Sequence, residues 1–385
     1  MFWGGMIRTA QDLNMTYWMI HQDETDEDYW IVPDEEPEAD GDQPHDGDLN
    51  LYDKHAEPMP INAENDLPWG TDHVFFGTDD ASGDNIQGSE DDDLIFGLEG
   101  VDTLRGAGGN DTVYGNSHDD IIYLGFKEHG DQDTSDLRDV GHGGQGNDTI
   151  HGTDASDELN GGTGIDLLVG NAGDDVINGG SERDTASYEF ATGSVEVNLT
   201  TGRSSGADGN DTLESVENVR GSQHNDTLIG NDEDNSLIGL GGDDELRGGD
   251  GGNSLHGGEG NDTIYGGKDD DFISTGAGND SVEAGAGDDI IFVDTGNDTI
   301  FGGSGADKFV FRNEQFGVKT IKDWEAGIDR FDIRDHQSDV AIQIGYLGND
   351  ALIVMADVAT NTILGAVVVE NERGNISMND FDFFL

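Results

Sequence analysis

Aspartate recurs at every ninth residue over long stretches of this chain, always in a glycine-rich setting. From Gly221 to Val310 ten nonapeptides follow one another without a gap, and their shared form is GGxGxDxUx, where U is apolar. Glycine adopts left-handed backbone angles at little cost, so the carbonyl oxygens of such a turn can point inward together while the aspartate adds formal charge. Ligation by oxygen atoms alone favours Ca²⁺ over Mg²⁺ or Zn²⁺. The spacing therefore predicts turns that bind calcium.

The same nine-residue frame occurs in two further blocks of five copies each, at residues 79–123 and 143–187. Position six is aspartate in all copies except those that carry Asn235 and Asn253. If one site needs two turns that lie two repeats apart, the three blocks hold at most about fourteen ions. The predicted carboxylate ligands are Asp93, Asp102, Asp111, Asp120, Asp148, Asp157, Asp166, Asp175, Asp226, Asp244, Asp262, Asp271, Asp280, Asp289, Asp298 and Asp307. The predicted turn glycines are Gly146, Gly164, Gly173, Gly260, Gly278, Gly287 and Gly305.

Position four departs from glycine in several copies, and we expect a weakened left-handed turn and weakened ion binding there. The two upstream blocks carry more of these substitutions than residues 221–310, so residues 221–310 are expected to be the most completely filled part. The residues concerned are Asp91, His118, Ala155, Glu182, His224, Glu233 and Asp269.

The elements that must position these turns are very short strands. The x-U-x triplet after each aspartate has room for one strand whose apolar residue points inward, as with Ile95 or Leu228. Alternate turns must reverse the chain, so two repeats make one coil and turns two repeats apart stack on the same side. The pattern predicts an all-β coil with one core residue per repeat.

The composition makes folding of this coil conditional on cations. The formal net charge is −67 and only 33% of the residues are hydrophobic, a combination typical of disordered chains. Stacked aspartates repel one another until cations lie between them, so folding is expected to be coupled to Ca²⁺ binding. The charge argues against nucleic acid and anionic membranes as partners. The chain has no cysteine, so disulfides and thiolate metal sites are excluded.

The segments between and around the blocks have other compositions. We expect residues 1–70 to be an acidic, largely disordered leader, residues 71–123 and 143–187 to form the first two blocks of the coil, and residues 124–142 to be a loop excursion. Alternating Val195, Val197 and Leu199 predict an extra strand in an insertion at residues 188–220. Residues 221–310 are the third block, and apolar runs in residues 311–385 predict a C-terminal β cap. No stretch reaches membrane-spanning length.

The nonapeptide closely resembles the calcium-binding repeat of RTX, or hemolysin-type, proteins. The insertion DTASYEFATGSVEVNLTTG and the segment GADKFVF…IKDWEAGIDRFDI resemble the inter-repeat segment and the serralysin-type cap of that family. The resemblance implies a right-handed parallel β-roll and a bacterial protein that the type I secretion machinery exports unfolded to the medium or the cell surface. The ending Asp380-Phe381-Asp382-Phe383-Phe384-Leu385 is similar to the uncleaved C-terminal signals of that route.

No catalytic constellation is evident in the sequence. There is no H-E-x-x-H motif, and His21, His45, His55 and His73 are expected to be solvated. There is no G-x-S-x-G motif and no thiol nucleophile. The leading hypothesis is a non-enzymatic extracellular calcium-binding protein with an unidentified protein or polysaccharide partner. Two alternatives stay open, namely an accessory module of a secreted protease, lipase or alginate epimerase, and a membrane-active toxin.

Overall fold

The computed structural model describes residues 18–22, 27–33, 49–53, 59–60, 73–78, 83–125, 138–311, 316–333, 340–357, 362–372 and 375–382, with side chains from residue 73 onward. Most of the expected acidic leader, residues 126–137 of the expected excursion and the last three residues of the predicted export signal lie outside this part of the chain. The chain divides into two compact units, 1–74 with 91–93, and 75–90 with 94–385.

The first unit contains a four-stranded antiparallel meander within the leader that we expected to be largely disordered. Its sequence supplies the residue types that favour strands, as in YWMI and DYWIVP. The register aligns Met19 with Trp30 and Ile31 with Leu51. The strands are Trp18–Gln22 (β1), Glu27–Pro33 (β2), Leu49–Asp53 (β3) and Met59–Pro60 (β4); the next strand along the chain is His73–Phe76 (β5).

The second unit is a parallel β-solenoid, and the predicted all-β coil is confirmed. One of its two sheets has fourteen strands. In spatial order these are Asn85–Gln87 (β6), Thr103–Ala107 (β8), Ile121–Gly125 (β10), Thr149–His151 (β12), Leu167–Val169 (β14), Thr185–Ser187 (β16), Asn218–Arg220 (β20), Ser236–Gly241 (β22), Ser254–Glu259 (β24), Phe272–Ala277 (β26), Ile290–Phe292 (β28), Lys308–Val310 (β30), Arg330–Asp332 (β32) and Phe381–Asp382 (β36).

The opposite sheet carries the intervening strands of the coil. They are Asp93–Glu99 (β7), Thr112–Ser117 (β9), Val140–Gln145 (β11), Glu158–Thr163 (β13), Val176–Ser181 (β15), Thr227–Ile229 (β21), Glu245–Gly249 (β23), Thr263–Gly267 (β25), Ser281–Ala286 (β27), Thr299–Ser304 (β29) and Gly317–Ile321 (β31). The described residues contain no α-helix.

The core of the coil is built on one column of apolar side chains per sheet, from position eight of the repeat, and Leu124, Ala284 and Val293 at position one add to it. Leu237 pairs with Leu255 in one sheet, and Ile264 pairs with Val282 in the other. All four side chains have no solvent exposure. Because parallel in-register pairing keeps each position directly above the same position of the preceding coil, a nine-residue repeat is sufficient to define both the core and the turns.

The coil extends into the expected excursion. Leu124 and Gly125 belong to β10, and β11 begins at Val140 and pairs with both β9 and β13. The segment DVGHGG keeps the repeat frame, with Asp139 at position six and Gly141 at position eight. Gly141 is accepted there because Ile150 and Leu124 already fill the space that a Cβ would occupy.

Within the insertion at residues 188–220, the strands at residues 195–214 lie in the opposite sheet, and residues 218–220 return to the fourteen-stranded sheet as β20. Strand Thr212–Glu214 (β19) continues the coil by pairing with β15, and Arg203–Gly206 (β18) and Val195–Asn198 (β17) form an antiparallel hairpin beside it. Strand β17 then pairs in parallel with β21. Because β16 pairs directly with β20, the first sheet continues without extra strands at this level.

The C-terminal region covers the end of the core with aromatic side chains and a small β-sheet. Strand β31 pairs with Thr362–Val369 (β35), which pairs with Asp350–Asp357 (β34) and then Val340–Leu347 (β33). A 3₁₀ turn at Met378–Asp380 leads into β36. The rings of Phe331 and Trp324 stack with centroids 4.3 Å apart, and Phe381 lies 4.9 Å from Phe331.

Candidate metal centre in the stacked turns

The aspartates at position six form two rows, one on each side of the coil. In each row the Oδ1 atom of most aspartates accepts a hydrogen bond from the backbone N–H of the preceding row member, which lies eighteen residues earlier except where an excursion or insertion intervenes. Asp262 Oδ1 lies 2.9 Å from the nitrogen of Asp244, and Asp166 Oδ1 lies 2.8 Å from that of Asp148. All sixteen predicted aspartates are at most 2% exposed. The rows therefore hold their carboxylates inside the molecule.

The second oxygen of most of these carboxylates has no hydrogen-bond donor. In the described part of the chain, the Oδ2 atoms that are buried and lack a donor belong to Asp102, Asp120, Asp148, Asp166, Asp175, Asp184, Asp244, Asp262, Asp271, Asp280, Asp289 and Asp307. A buried carboxylate oxygen without a donor is costly unless a cation lies beside it. These aspartates are called the open carboxylates below.

Backbone carbonyl oxygens point into the same spaces as the Oδ2 atoms of the open carboxylates. A Cβ built on Gly115 would lie 2.3 Å from Asp120 Oδ2 and 2.7 Å from the carbonyl oxygen of Gly143, in the next turn of the row. A Cβ built on Gly239 would meet Asp244 Oδ2 at 2.2 Å and Gly257 O at 2.5 Å. Carboxylate and carbonyl oxygens that surround the same point match the set of ligand oxygens that Ca²⁺ accepts. The residues present therefore fit a calcium ion between stacked turns.

The turn glycines adopt the backbone angles that this arrangement requires. All seven predicted turn glycines have positive φ, from 121° at Gly164 to 151° at Gly278. A side chain would also collide with the preceding coil, since a Cβ on Gly260 would lie 1.9 Å from Gly242 O. Two of the expected exceptions, His118 and Glu182, adopt the same left-handed region with φ of 79° and 77°. Ala155, His224 and Glu233 do not.

Burial and mutual repulsion raise the pKa of the open carboxylates in the absence of metal. Desolvation raises the pKa of Asp120 to about 8, and the charges of Asp148 and Asp102 add to the effect. Desolvation is also the largest cause that raises the pKa of Asp244 to about 8, and the negative charges of Asp226 and Asp262 add to it. A cation between the turns would oppose both causes, because it favours the charged form. The metal-free rows therefore attract protons and metal ions alike.

A few turns satisfy their own carboxylate. Asp157 Oδ2 accepts hydrogen bonds from Thr153, at 2.6 Å from the backbone nitrogen and 2.9 Å from Oγ1. Asp226 Oδ2 lies 2.5 Å from the backbone nitrogen of Ser222. Both turns have a hydroxyl residue at position two, and a residue other than glycine at position four. We call these the closed turns, because the position-six oxygen is occupied from within the turn.

The two asparagine copies are also satisfied without an ion. Asn253 Nδ2 donates to the carbonyl of Gly251 at 2.9 Å. Asn235 Nδ2 donates to the carbonyl of Glu217 at 2.9 Å, and Asn235 Oδ1 accepts from the backbone nitrogen of Asn231 at 2.8 Å. An amide supplies the donor that a carboxylate lacks, so these two side chains are hydrogen-bonded without a cation.

The rows contain members that the sequence analysis missed. Asp84 precedes Asp102 in its row, because its backbone N–H donates to Asp102 Oδ1 at 2.7 Å. Asp139, Asp184, Asp211 and Asp329 each accept a hydrogen bond through Oδ1 from the backbone N–H of an earlier row member. Three of them stand at position six of copies that could have been recognised, in DVGHGG, GADGNDTLE and WEAGIDRFD. Glu217 takes the same place after Asp184, with Oε2 2.9 Å from the nitrogen of Asp184.

Within the described ranges, no group of three or more histidine, cysteine, aspartate or glutamate side chains is arranged to hold a metal ion. Each candidate site therefore relies on backbone carbonyls beside one or two carboxylates. The side chain of His73 is 48% exposed, and its Nδ1 lies 3.1 Å from Asp93 Oδ1. None of the helical segments in the described part is long and apolar enough to cross a membrane.

Comparison with known proteins identifies the repeats. No curated protein matches the chain in sequence. Among solved structures, the AlgE6R3 subunit of the Azotobacter vinelandii mannuronan C5-epimerase aligns with 42% of this chain and 78% of its own, at 20% identity and a TM-score of 0.24. The extracellular lipase LipA from Serratia marcescens aligns with 61% of this chain and 40% of its own, at 14% identity and a TM-score of 0.19. At these TM-scores neither alignment supports a conclusion.

The family comparison is decisive where the structural alignments are not. The model of the RTX calcium-binding nonapeptide repeat matches seven overlapping segments, which together cover half of the chain: residues 78–113, 96–126, 133–168, 151–186, 220–255, 247–282 and 274–309. These segments contain the open carboxylates and the turn glycines described above. The chain belongs to the family of RTX calcium-binding nonapeptide repeat proteins.

Proposed function

We propose that this protein is a secreted calcium-binding protein whose solenoid folds when Ca²⁺ fills the turns. The rows of open carboxylates carry this proposal. Each such oxygen is buried without a donor, which is unfavourable in a metal-free fold and favourable once a cation binds. One ion per open carboxylate gives about twelve sites in the described turns, below the ceiling of about fourteen that the repeat count allows.

Calcium concentration would then decide where the chain folds. In a cytosol low in Ca²⁺ the rows repel and the chain stays unfolded, a state suited to export by a type I route. Outside the cell, Ca²⁺ at about 10⁻⁴–10⁻³ M would fill extracellular sites of this kind. Folding after export is thereby driven by binding free energy.

The role outside the cell is proposed to be non-enzymatic, at a surface or in a matrix. The carboxylates that an acid–base mechanism would need are the same ones that the turns place beside carbonyl oxygens. Among the described residues, ion binding accounts for the arrangement of the buried row carboxylates without a catalytic role. Robust turnover in protease, lipase or polysaccharide epimerase assays with Ca²⁺ present would overturn this part of the proposal.

Circular dichroism of the full chain during a Ca²⁺ titration from EGTA tests the central claim, with isothermal titration calorimetry to count ions. We expect little strand signal in EGTA and a cooperative rise as Ca²⁺ is added. A strand signal already complete in EGTA, or a chain that takes up no Ca²⁺, would show that the turns do not work in this way.

A further inference from the structure

A lysine stands at the aspartate position at the C-terminal end of one row. Strand β31 continues the repeat frame, because Thr320 pairs with Thr299 and Ile321 pairs with Ile300. Gly317 has the left-handed φ of 74° expected at position four. Position six of this copy is therefore Lys319. It follows Asp298 in the row after 21 residues, three more than the usual eighteen.

The ammonium group of Lys319 takes up the oxygens that are open elsewhere. Its Nζ lies 2.5 Å from Asp298 Oδ2 and 3.0 Å from the carbonyl oxygen of Gly296. Both side chains of the ion pair have 0% exposure. One coil earlier, Asp280 Oδ2 has the same place in the row and no donor. In the other turns, a carboxylate oxygen and a carbonyl oxygen are the ligand atoms that fit calcium. Here one ammonium group binds an oxygen of each kind.

We propose that Lys319 is a tethered cation that replaces calcium at the last position of this row. Its positive charge belongs to the chain, so this end of the row is neutralised at any Ca²⁺ concentration. The copy that carries it also joins the coil to the C-terminal sheet, through the pairing of β31 with β35. The junction between coil and cap is thus the part of the row that is complete before any ion binds.

The chemistry of the pair explains why lysine suits this position. A buried charge is tolerated only with a partner of opposite charge and further hydrogen bonds, and here the carboxylate and the carbonyl supply them. Beyond Lys319 the row has no further aspartate among the described residues, so an ion there would have one turn of ligands instead of two. A side-chain ammonium needs only the one turn.

Substitution of Lys319 tests the proposal in the full-length chain. Native mass spectrometry at saturating Ca²⁺ counts ions, and circular dichroism gives the Ca²⁺ midpoint of folding. Lys319→Asp restores the repeat and should bind one more ion than the wild type. Lys319→Met should bind no additional ion and should raise the Ca²⁺ midpoint at least about threefold, because Asp298 is left as a buried charge without a partner.

Lys322→Met is the matched control. Lys322 forms a less buried ion pair with Glu370 in the same copy, outside the row. Its loss should leave the ion count unchanged and move the midpoint by less than about twofold. An unchanged midpoint in Lys319→Met, or equal ion counts in Lys319→Asp and wild type, would overturn the proposal. If Lys319→Asp does not fold, Lys319→Met decides alone.

This inference depends on the proposed function, and the two fail in different ways. A wild-type chain that binds no Ca²⁺ refutes calcium filling of the turns altogether. A wild-type chain that binds Ca²⁺, but does not differ from Lys319→Asp in ion count, refutes only the role of Lys319.

Discussion

At the scale of single residues, each row aspartate uses its two oxygens for different purposes. Oδ1 accepts a backbone N–H and fixes the register of the coils, whereas Oδ2 is open, satisfied within its own turn as in Asp157, or bound by a side chain from another segment as in Asp298. Asp262 and Asp157 both stand at position six and both are about 1% exposed. They differ in that Thr153 donates to Asp157 Oδ2, while Asp262 Oδ2 has no donor. We therefore propose that the environment of this one oxygen separates an ion ligand from a structural aspartate.

Asp262→Asn should remove about one bound ion and raise the Ca²⁺ midpoint. The amide keeps an oxygen for the N–H of Asp244 but replaces the open, charged oxygen with a donor, as Asn253 does in the neighbouring copy. Asp157→Asn is the matched control and should leave the ion count unchanged. Calorimetric ion counts on both variants check the prediction, and equal ion loss in the two would contradict it.

At the scale of elements, the turns are held by left-handed glycines that face the preceding coil. Gly260 has φ of 133°, and the carbonyl oxygen of Gly242 occupies the space where a Cβ of residue 260 would lie. L-residues with a Cβ avoid this region, at a cost of about 1–2 kcal/mol before any collision is counted. Most strands between turns contribute a single buried core side chain, at position eight, so the turn geometry controls how well neighbouring coils pair.

Gly260→Ala should therefore lower the free energy of unfolding in saturating Ca²⁺ by more than about 2 kcal/mol. Gly345→Ala is the control, because a Cβ at Gly345 would lie 3.9 Å from its nearest neighbour, Leu352 O, and its φ is not left-handed. Urea denaturation of both variants measures the difference. A Gly260 variant as stable as the Gly345 variant would show that this turn tolerates a side chain.

At the scale of the whole molecule, charge dominates the metal-free state. The formal net charge is −67, and the row carboxylates add buried repulsion to it. Burial and neighbouring charges raise the pKa of Asp148, Asp184 and Asp307 to about 7. The metal-free fold consequently binds more protons than the unfolded chain between about pH 4 and pH 8.

In EGTA, acidification should stabilise the metal-free solenoid. Because the folded-state pKa values are raised, their stabilising contribution is present below the unfolded value of 3.8 and is lost as the pH rises through about 6 to 8. Strand content by circular dichroism should therefore be higher at pH 5 than at pH 8. In a Ca²⁺ titration, acid should have the opposite effect. The Ca²⁺ midpoint of folding should be higher at pH 5 than at pH 8, because protons compete with the metal for the carboxylates. Equal or lower strand content at pH 5 in EGTA would contradict this account.

The sequence by itself determined the repeating unit of this protein and the chemistry of its turns. A nine-residue period fixes which residue enters the core, because in-register stacking repeats the same environment in every coil. It also places an aspartate beside left-handed glycines, as in GGEGNDTIY. Both properties are local to one repeat, so they can be read without knowing which repeats meet.

Only the tertiary structure decided which turns meet and which oxygens stay open. Asp175 is followed in its row by Asp211, thirty-six residues later, and Asp184 by Glu217, because the insertion leaves the coil and returns to it. Whether Asp157 or Asp298 is open depends on a hydroxyl or an ammonium that approaches its second oxygen. These contacts join residues separated along the chain or depend on the exact course of a turn, so the repeat pattern alone does not contain them.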